Sequence, residues 1–226
     1  MKTIAIIPAR SGSKRIKNKN IKSFISDPII GLTIKKLKIS KLFKKIVVTS
    51  DSQKILNIAN KYGADILIKR SKKLSDDHTP TELVVIDAID KLDRKLLFDN
   101  VCCVYPCNPF LDVKDLKKAL NLLIKSYNYF IFTLCRYSHP VERAIFLNKK
   151  KEVKYYNRKY LKCRTQDLKS FFYDAGQFYL ARKEVWKNKN RKSKAVIIPS
   201  FRCHDIDTYE DWLRAEIYYK SYFMTK

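Results

Sequence analysis

The chain opens on an unbroken apolar run, Ile4-Ala5-Ile6-Ile7, that ends at Pro8 and gives way to a polar stretch reaching Asn20. Residues 3–7 therefore read as a strand buried on both faces, followed by a long loop. Asp27-Pro28 supplies an N-cap and a first-turn proline, which predicts a helix from that point. The cycle repeats: Ile46-Val47-Val48 reads as a strand. A helix from Asp51 onward puts Ile55, Ile58 and Ala59 on one face, with Gly63 as its stop. A third strand follows at Ile66-Leu67-Ile68. Over residues 81–97, Val85, Ala88, Ile89 and Leu92 recur at helical spacing; residues 101–105 read as a buried strand and 116–124 as another amphipathic helix.

Strands alternating with helices imply a three-layer, Rossmann-like α/β fold with a mostly parallel, doubly wound sheet. After about residue 136 the alternation breaks into shorter extended pieces at 144–147, 153–156 and 177–181, with many basic and aromatic residues between them. Residues 136–175 are thus expected to form an excursion, suited to a flap or a dimer contact, within one domain spanning 1–226. Ala195-Val196-Ile197-Ile198 predicts a short strand, and a closing helix runs from Tyr209 through Tyr219.

Composition changes this picture in two respects. Lys and Arg number 48 against 22 acidic residues, a formal charge of +26, which attracts phosphates, nucleic acid or an anionic membrane. The lysines are spread along the whole chain with no compact basic arm, so a basic nucleic-acid-binding protein is the alternative class and not the first reading. The six cysteines, Cys102, Cys103, Cys107, Cys135, Cys163 and Cys203, contain no CxxC pair, and reduced thiols in a soluble, cytoplasmic protein are expected. No apolar stretch approaches the length of a membrane span.

In an open α/β sheet, ligands gather beyond the carboxyl ends of the strands, where Pro8-Ala9-Arg10-Ser11-Gly12-Ser13-Lys14-Arg15 falls. Gly12 permits close backbone approach, Ser11 and Ser13 offer hydroxyl and amide donors, and Arg10, Lys14 and Lys19 can offset a polyphosphate's charge. With a single glycine, the loop is neither a Walker loop nor a GxGxxG dinucleotide fingerprint. Asp205 and Asp207, two apart on an extended segment, can face one cation, or can cap the closing helix together with Thr208 and Glu210.

The run IIPARSGSKRIKNKNIK resembles the opening signature of the sugar-acid cytidylyltransferases, and HDIDTYEDWLRAE resembles that family's terminal signature. Leu74-Ser75-Asp76-Asp77-His78-Thr79 is similar to its nucleotide-side loop and Tyr173-Asp174-Ala175-Gly176-Gln177-Phe178-Tyr179 to its sugar-side segment, so the likeness spans nearly the whole chain. The resemblance implies a sheet of the nucleotide-diphospho-sugar transferase type, CTP and a nine-carbon acidic sugar as substrates, Mg2+ held by Asp205 and Asp207, and a homodimer. It implies that Arg10, Ser13, Lys14 and Lys19 contact the phosphates and that Asn20 lies near the base or ribose. Ser11, Gly12, Arg70 and Thr79 complete the expected nucleotide side, and Arg10, Lys14, Asp205 and Asp207 are expected to act on the reaction itself.

A sugar carboxylate with acylamino groups calls for fixed cations and amides, which Arg143, Arg164, Gln166 and Gln177 can supply, with Tyr105, Asn108 and Asp174 on the same side. After the fourth strand the chain reads Tyr105-Pro106-Cys107-Asn108-Pro109-Phe110-Leu111, without the glutamine and arginine of the neuraminate branch. Ser138-His139-Pro140-Val141-Glu142-Arg143-Ala144 and Arg164-Thr165-Gln166-Asp167-Leu168 look like the pseudaminate branch, with Glu142 and Thr165 as departures. An N-acetylneuraminate or legionaminate substrate is the enzymatic alternative.

Overall fold

The computed structural model describes residues 1–224; positions 225 and 226, the last two of the span expected to form one domain, lie outside the described residues. In chain order the elements are β1 (Thr3–Pro8), β2 (Ser23–Phe24), β3 (Asp27–Pro28), α1 (Ile29–Ser40), β4 (Lys45–Ser50), α2 (Gln53–Lys61), β5 (Ile66–Lys69) and α3 (Thr81–Asp93). They continue with β6 (Asn100–Val104), α4 (Val113–Lys125), β7 (Tyr129–Arg136), β8 (Ile145–Leu147), β9 (Val153–Tyr155), β10 (Phe172–Arg182), β11 (Lys192–Ile198) and α5 (Tyr209–Phe223).

Seven strands form one sheet in the order β11-β7-β10-β6-β1-β4-β5. Every pairing is parallel except those of β10, which runs antiparallel to both β6 and β7. The expected mostly parallel, three-layer α/β sheet is present. Alternate residues of β1 serve opposite faces, as the pleat requires: Ala5 and Ile7 pack with Ile30, Ile34 and Leu37 of α1 and with α2 and α4, while Ile4 and Ile6 pack with Val85, Ala88 and Ile89 of α3. A third cluster seats α5, where Trp212 and Ala215 meet Phe24, Phe110 and Ile206. This contact brings the closing helix, far away in sequence, back beside the loop that follows β1.

Several boundaries differ from the sequence reading. Asp27-Pro28 does not open a helix in the expected way: the pair forms a two-residue strand against β2, α1 begins at Ile29, and the Asp27 carboxylate accepts from Tyr62 and Lys35 instead of capping. Helix α2 begins at Gln53, two residues after the expected start at Asp51, and is capped by Ser52, whose hydroxyl accepts from Ile55 N. Gly63 does end α2, with φ of 91° in the left-handed region. Helix α3 stops at Asp93, before Leu97. Strand β7 was not anticipated, and β10 spans eleven residues where only 177–181 read as extended. Between β7 and β10 the excursion contains the β8–β9 hairpin, joined antiparallel, and short 3-10 turns. All six cysteines are free thiols, and among the described residues no helix is long and apolar enough to cross a membrane.

Candidate functional site

Beyond the carboxyl ends of β1, β5 and β6 lies a cleft of about 570 Å³, within the range of roughly 300–1,000 Å³ usual for small-molecule sites. It is walled by the loop after β1 (Arg10, Ser13, Lys14, Arg15, Lys19, Asn20), the segment after β5 (Arg70, Leu74, Asp76, Asp77, Thr79), the start of α3 and Tyr105-Pro106 after β6, and Asp207 closes it from the carboxyl-terminal side. The buried seat of α5 explains why Asp207, almost two hundred positions from Lys14, shares its wall.

The lining holds five cations, Arg10, Lys14, Arg15, Lys19 and Arg70, against three carboxylates, Asp76, Asp77 and Asp207. Asp77 pairs with both Arg10 and Lys14, each at 2.5 Å, and these partners hold its carboxyl below the ordinary range. Asp207 pairs with Arg15 at 2.5 Å and Lys19 at 3.2 Å, and Lys19 also donates to the Ile206 carbonyl at 2.7 Å. Arg70 is 5 % exposed and its Nε donates to Ser75 Oγ at 3.0 Å. Thr79 anchors the opposite loop through its backbone N–H, which donates to Asp76 Oδ1 at 2.6 Å. His78 takes part in that turn through its backbone N–H, which donates to Asp76 Oδ1 at 3.0 Å.

Asp205, two residues before Asp207, does not line the cleft; it is exposed, with no hydrogen bond or ion pair among the described residues. Burial of part of its carboxyl and the negative charge of Asp207 push its pKa up. Helix α5 is capped by Thr208 and Asp211 in a reciprocal capping box, so neither Asp205 nor Asp207 is spent as the cap. A carboxylate without partners next to a second one is a donor set suited to a hard divalent cation.

Several expected contact residues sit elsewhere. Ser11 turns from the cleft onto Asp51, donating through its backbone N–H (2.9 Å) and its hydroxyl (2.5 Å), and Gly12 faces open space. Asn20 lines the floor but is 5 % exposed: its Nδ2 donates to the Arg10 carbonyl at 2.7 Å and its Oδ1 accepts from the Cys107 thiol at 3.2 Å. Asn108 and Gln177 are buried braces too. Asn108 Nδ2 donates to the Gln177 carbonyl at 2.9 Å, and Gln177 Nε2 donates to the Arg202 carbonyl at 2.8 Å. Asp174 accepts from Gly176 N and from the Tyr179 hydroxyl, whose ring meets Tyr105 edge-on with centroids 5.6 Å apart. Tyr105 alone of the expected sugar-side residues lines the cleft. Arg143, Arg164 and Gln166 belong to the excursion: Arg143 donates to Thr165 Oγ1, Arg164 pairs with Asp167, and Gln166 is exposed. Arg15, Asp76 and Asp77 are site residues that the sequence reading did not single out, although all three stand inside the segments that carried the resemblance.

The pattern of the cytidylyltransferase family matches residues 4–220. Pseudaminic acid cytidylyltransferase of Campylobacter jejuni is 37% identical over 225 residues, covering 97% of each chain. CMP-N,N'-diacetyllegionaminic acid synthase of Legionella pneumophila is 34% identical over 123 residues, 54% of this chain and 53% of that protein. Among solved structures, CMP:2-keto-3-deoxy-manno-octonic acid synthetase complexed with CTP aligns with a TM-score of 0.73 at 14% identity, covering 96% of this chain and 98% of that one, a likeness of fold. The chain belongs to the cytidylyltransferase family and catalyses CTP-dependent nucleotidyl transfer.

Proposed function

We propose that this family member transfers CMP from CTP to the anomeric hydroxyl of pseudaminic acid, releasing pyrophosphate and giving the activated sugar for surface glycan or flagellin glycosylation. The observation that carries the choice of sugar is the 37% identity to the Campylobacter jejuni pseudaminic acid enzyme, which extends over 97% of both chains and leaves no large segment unmatched.

In this reading the cationic cleft takes the triphosphate. Lys14, whose side chain is 82 % exposed, leaves Asp77 and swings onto the phosphates, while Lys19, 22 % exposed and tied to the Ile206 carbonyl, supplies a fixed charge. Arg10 and the buried Arg70 add charge from the two loops, and Thr79 closes the nucleotide side. Asp205 and Asp207 would hold Mg2+, which when bound orients the phosphates and offsets charge at the α-phosphorus and on departing pyrophosphate. The protein's own contribution is alignment: the sugar hydroxyl meets the α-phosphorus in line, and prearranged cations stabilise the charge that develops. Tyr105, beside the Tyr179 and Asp174 pair, marks the end of the cleft that receives the sugar, and the braces Asn108 and Gln177 fix its floor.

Residues 1–226 act as one catalytic domain in the cytoplasm, with 136–175 as its excursion. Every residue of β8 and β9 is exposed, and the register Ile145–Tyr155 and Leu147–Val153 puts those four apolar side chains on one face of the hairpin, with Phe146 opposite Lys154 on the other. A second copy covering this hairpin gives a homodimer and brings Arg143, Arg164 and Gln166 within reach of a sugar pocket shared between copies.

The test follows pyrophosphate release from CTP and Mg2+ with purified nonulosonic acids. Pseudaminic acid is expected to support turnover well above neuraminic and legionaminic acids, and Asp207→Ala is expected to lower it by about 100-fold or more with the circular dichroism spectrum unchanged. Preferred turnover of legionaminic acid transfers the assignment to that sugar, and inertness of all three acids refutes it.

A further inference from the structure

Residues 203–207, which carry both aspartates, have no regular secondary structure. Their downstream end is fixed by the capping box of α5 and by Asp211 Oδ2, which accepts from Asp207 N and Thr208 N at 3.2 and 2.8 Å. Their upstream end is a single 3-10 turn, Ser200–Arg202, and what holds that turn is Arg202. Its guanidinium is buried (6 % exposed for the residue), and one nitrogen, Nη1, lies 2.6 Å from Asp115 and 3.3 Å from Asp112, both at the head of α4, as ion pairs without hydrogen-bond alignment; its carbonyl accepts from Gln177 Nε2 of β10. Asp115 is 1 % exposed. Arg202 is therefore clamped between a helix and a strand three residues before Asp205, a span of about 10 Å at most.

A buried ion pair is a poor route to stability, since an apolar pair of similar volume commonly does as well; its best-attested use is to select one arrangement over its neighbours. The surroundings agree, because Ile206 and Phe110 on the same loop system already supply apolar burial, and a methionine-sized side chain could have filled the place of Arg202.

We propose that Arg202, held by Asp115, is a positioning residue for the cation site: the pair sets the register of segment 203–207 so that Asp205 and Asp207 converge on one ion. The inference rests on the assignment of the cation to those two aspartates. Groups bonded directly to a metal ligand change metal affinity by about 10- to 100-fold when removed; Arg202 acts through the backbone three residues away, so the lower end of that range applies.

The test measures Mn2+ binding to the full chain at saturating CTP without sugar, by electron paramagnetic resonance, alongside thermal unfolding. In Arg202→Met/Asp115→Leu the buried charges are exchanged for an apolar pair, so the Tm is expected to stay near wild type while the Mn2+ Kd rises about tenfold or more. A wild-type Tm with a wild-type Mn2+ Kd overturns the proposal and leaves the pair purely structural. Should the double variant not fold, Arg202→Lys, which keeps the charge but shortens the reach to Asp115, decides in the same way: the Mn2+ Kd is expected to rise about threefold or more, and an unchanged value overturns the proposal. Asp207→Ala serves as the reference. If it leaves the Mn2+ Kd unchanged, the cation site itself has been misassigned, an outcome separate from failure of the Arg202 anchor.

Discussion

Replacing Asn20 with leucine separates two roles that its position allows. Asn20 is 5 % exposed, so the change keeps the volume and shape of a buried side chain while deleting the donor to the Arg10 carbonyl (2.7 Å) and the acceptor for the Cys107 thiol (3.2 Å). The thiol is a weak donor and loses little. The part-buried Arg10 carbonyl loses its side-chain donor, at a cost of about 1–2 kcal/mol. For a chain of this size that corresponds to a Tm lower by roughly 3–6 °C. Arg10 also lines the cleft and is aimed by the backbone that Asn20 holds, so the KM for CTP is expected to rise about fivefold with a smaller change in kcat. Thermal unfolding and pyrophosphate release on the same preparation check both halves. An unchanged Tm with a raised KM would mean that Asn20 meets the nucleotide directly, as the sequence reading had it, and would refute the brace; an unchanged Tm and KM would refute both.

Three further outcomes follow from the geometry. A methyl group at Gly31 would come within 2.6 Å of the Tyr62 ring, which is pinned by its hydroxyl to Asp27, so Gly31→Ala is expected to cost about 1–3 kcal/mol by chemical denaturation. Burial lowers the pKa of Lys36 to about 8; between that value and the unfolded value near 10.5 the unfolded chain holds a proton that the folded chain lacks, so this residue's contribution to stability rises with pH across the window. Wild type is therefore expected to gain about 2 kcal/mol on Lys36→Met between pH 7.5 and 9.5 in parallel denaturant titrations, and a constant gap would rule this out. Leu147→Asp places a charge on the exposed apolar face of the hairpin, so, where the hairpin carries the proposed dimer contact, analytical ultracentrifugation is expected to show a dimer Kd raised about 100-fold or more with an unchanged monomer fold, and an undisturbed dimer would move the interface elsewhere.

The sequence carried the parallel half of the fold because β1, β4, β5 and β6 are short continuous apolar runs separated by amphipathic helices, and local periodicity suffices to find them. It could not carry the strand order. Strand β10 enters between β6 and β7, antiparallel to both, after a long excursion, and that placement is decided by tertiary packing of Phe178 and Leu180 rather than by any local pattern. Strand β7 was not singled out, although its apolar run ends just before Ser138-His139-Pro140. In the site, residue type was informative for charge and misleading for amides. Arg10, Lys14 and Asp207 converge as expected, because charged side chains near strand ends have few other places to go. Asn20, Asn108 and Gln177 are spent on backbone carbonyls inside the protein, and nothing in an amide's identity says which way it faces.

Asp76 and Asp77 gave no expectation as site residues, yet Asp77 decides how five cations share one wall without a ligand. Each of two carboxylates holds two cations, Asp77 taking Arg10 and Lys14, Asp207 taking Arg15 and Lys19, so neither pair is neutral and the cleft keeps a net attraction for anions. The two sides differ in what they can release. Lys14 and Arg15 are 82 % and 66 % exposed in their side chains, and ion pairs so open to water are individually weak, which makes their exchange for a phosphate oxygen easy. Lys19 and Arg70 are held by a carbonyl and a hydroxyl and keep their positions whichever anion enters. A polyphosphate would thus meet two fixed charges that set its path and two movable ones that close over it, while Arg10 and Lys19 remain paired with Asp77 and Asp207.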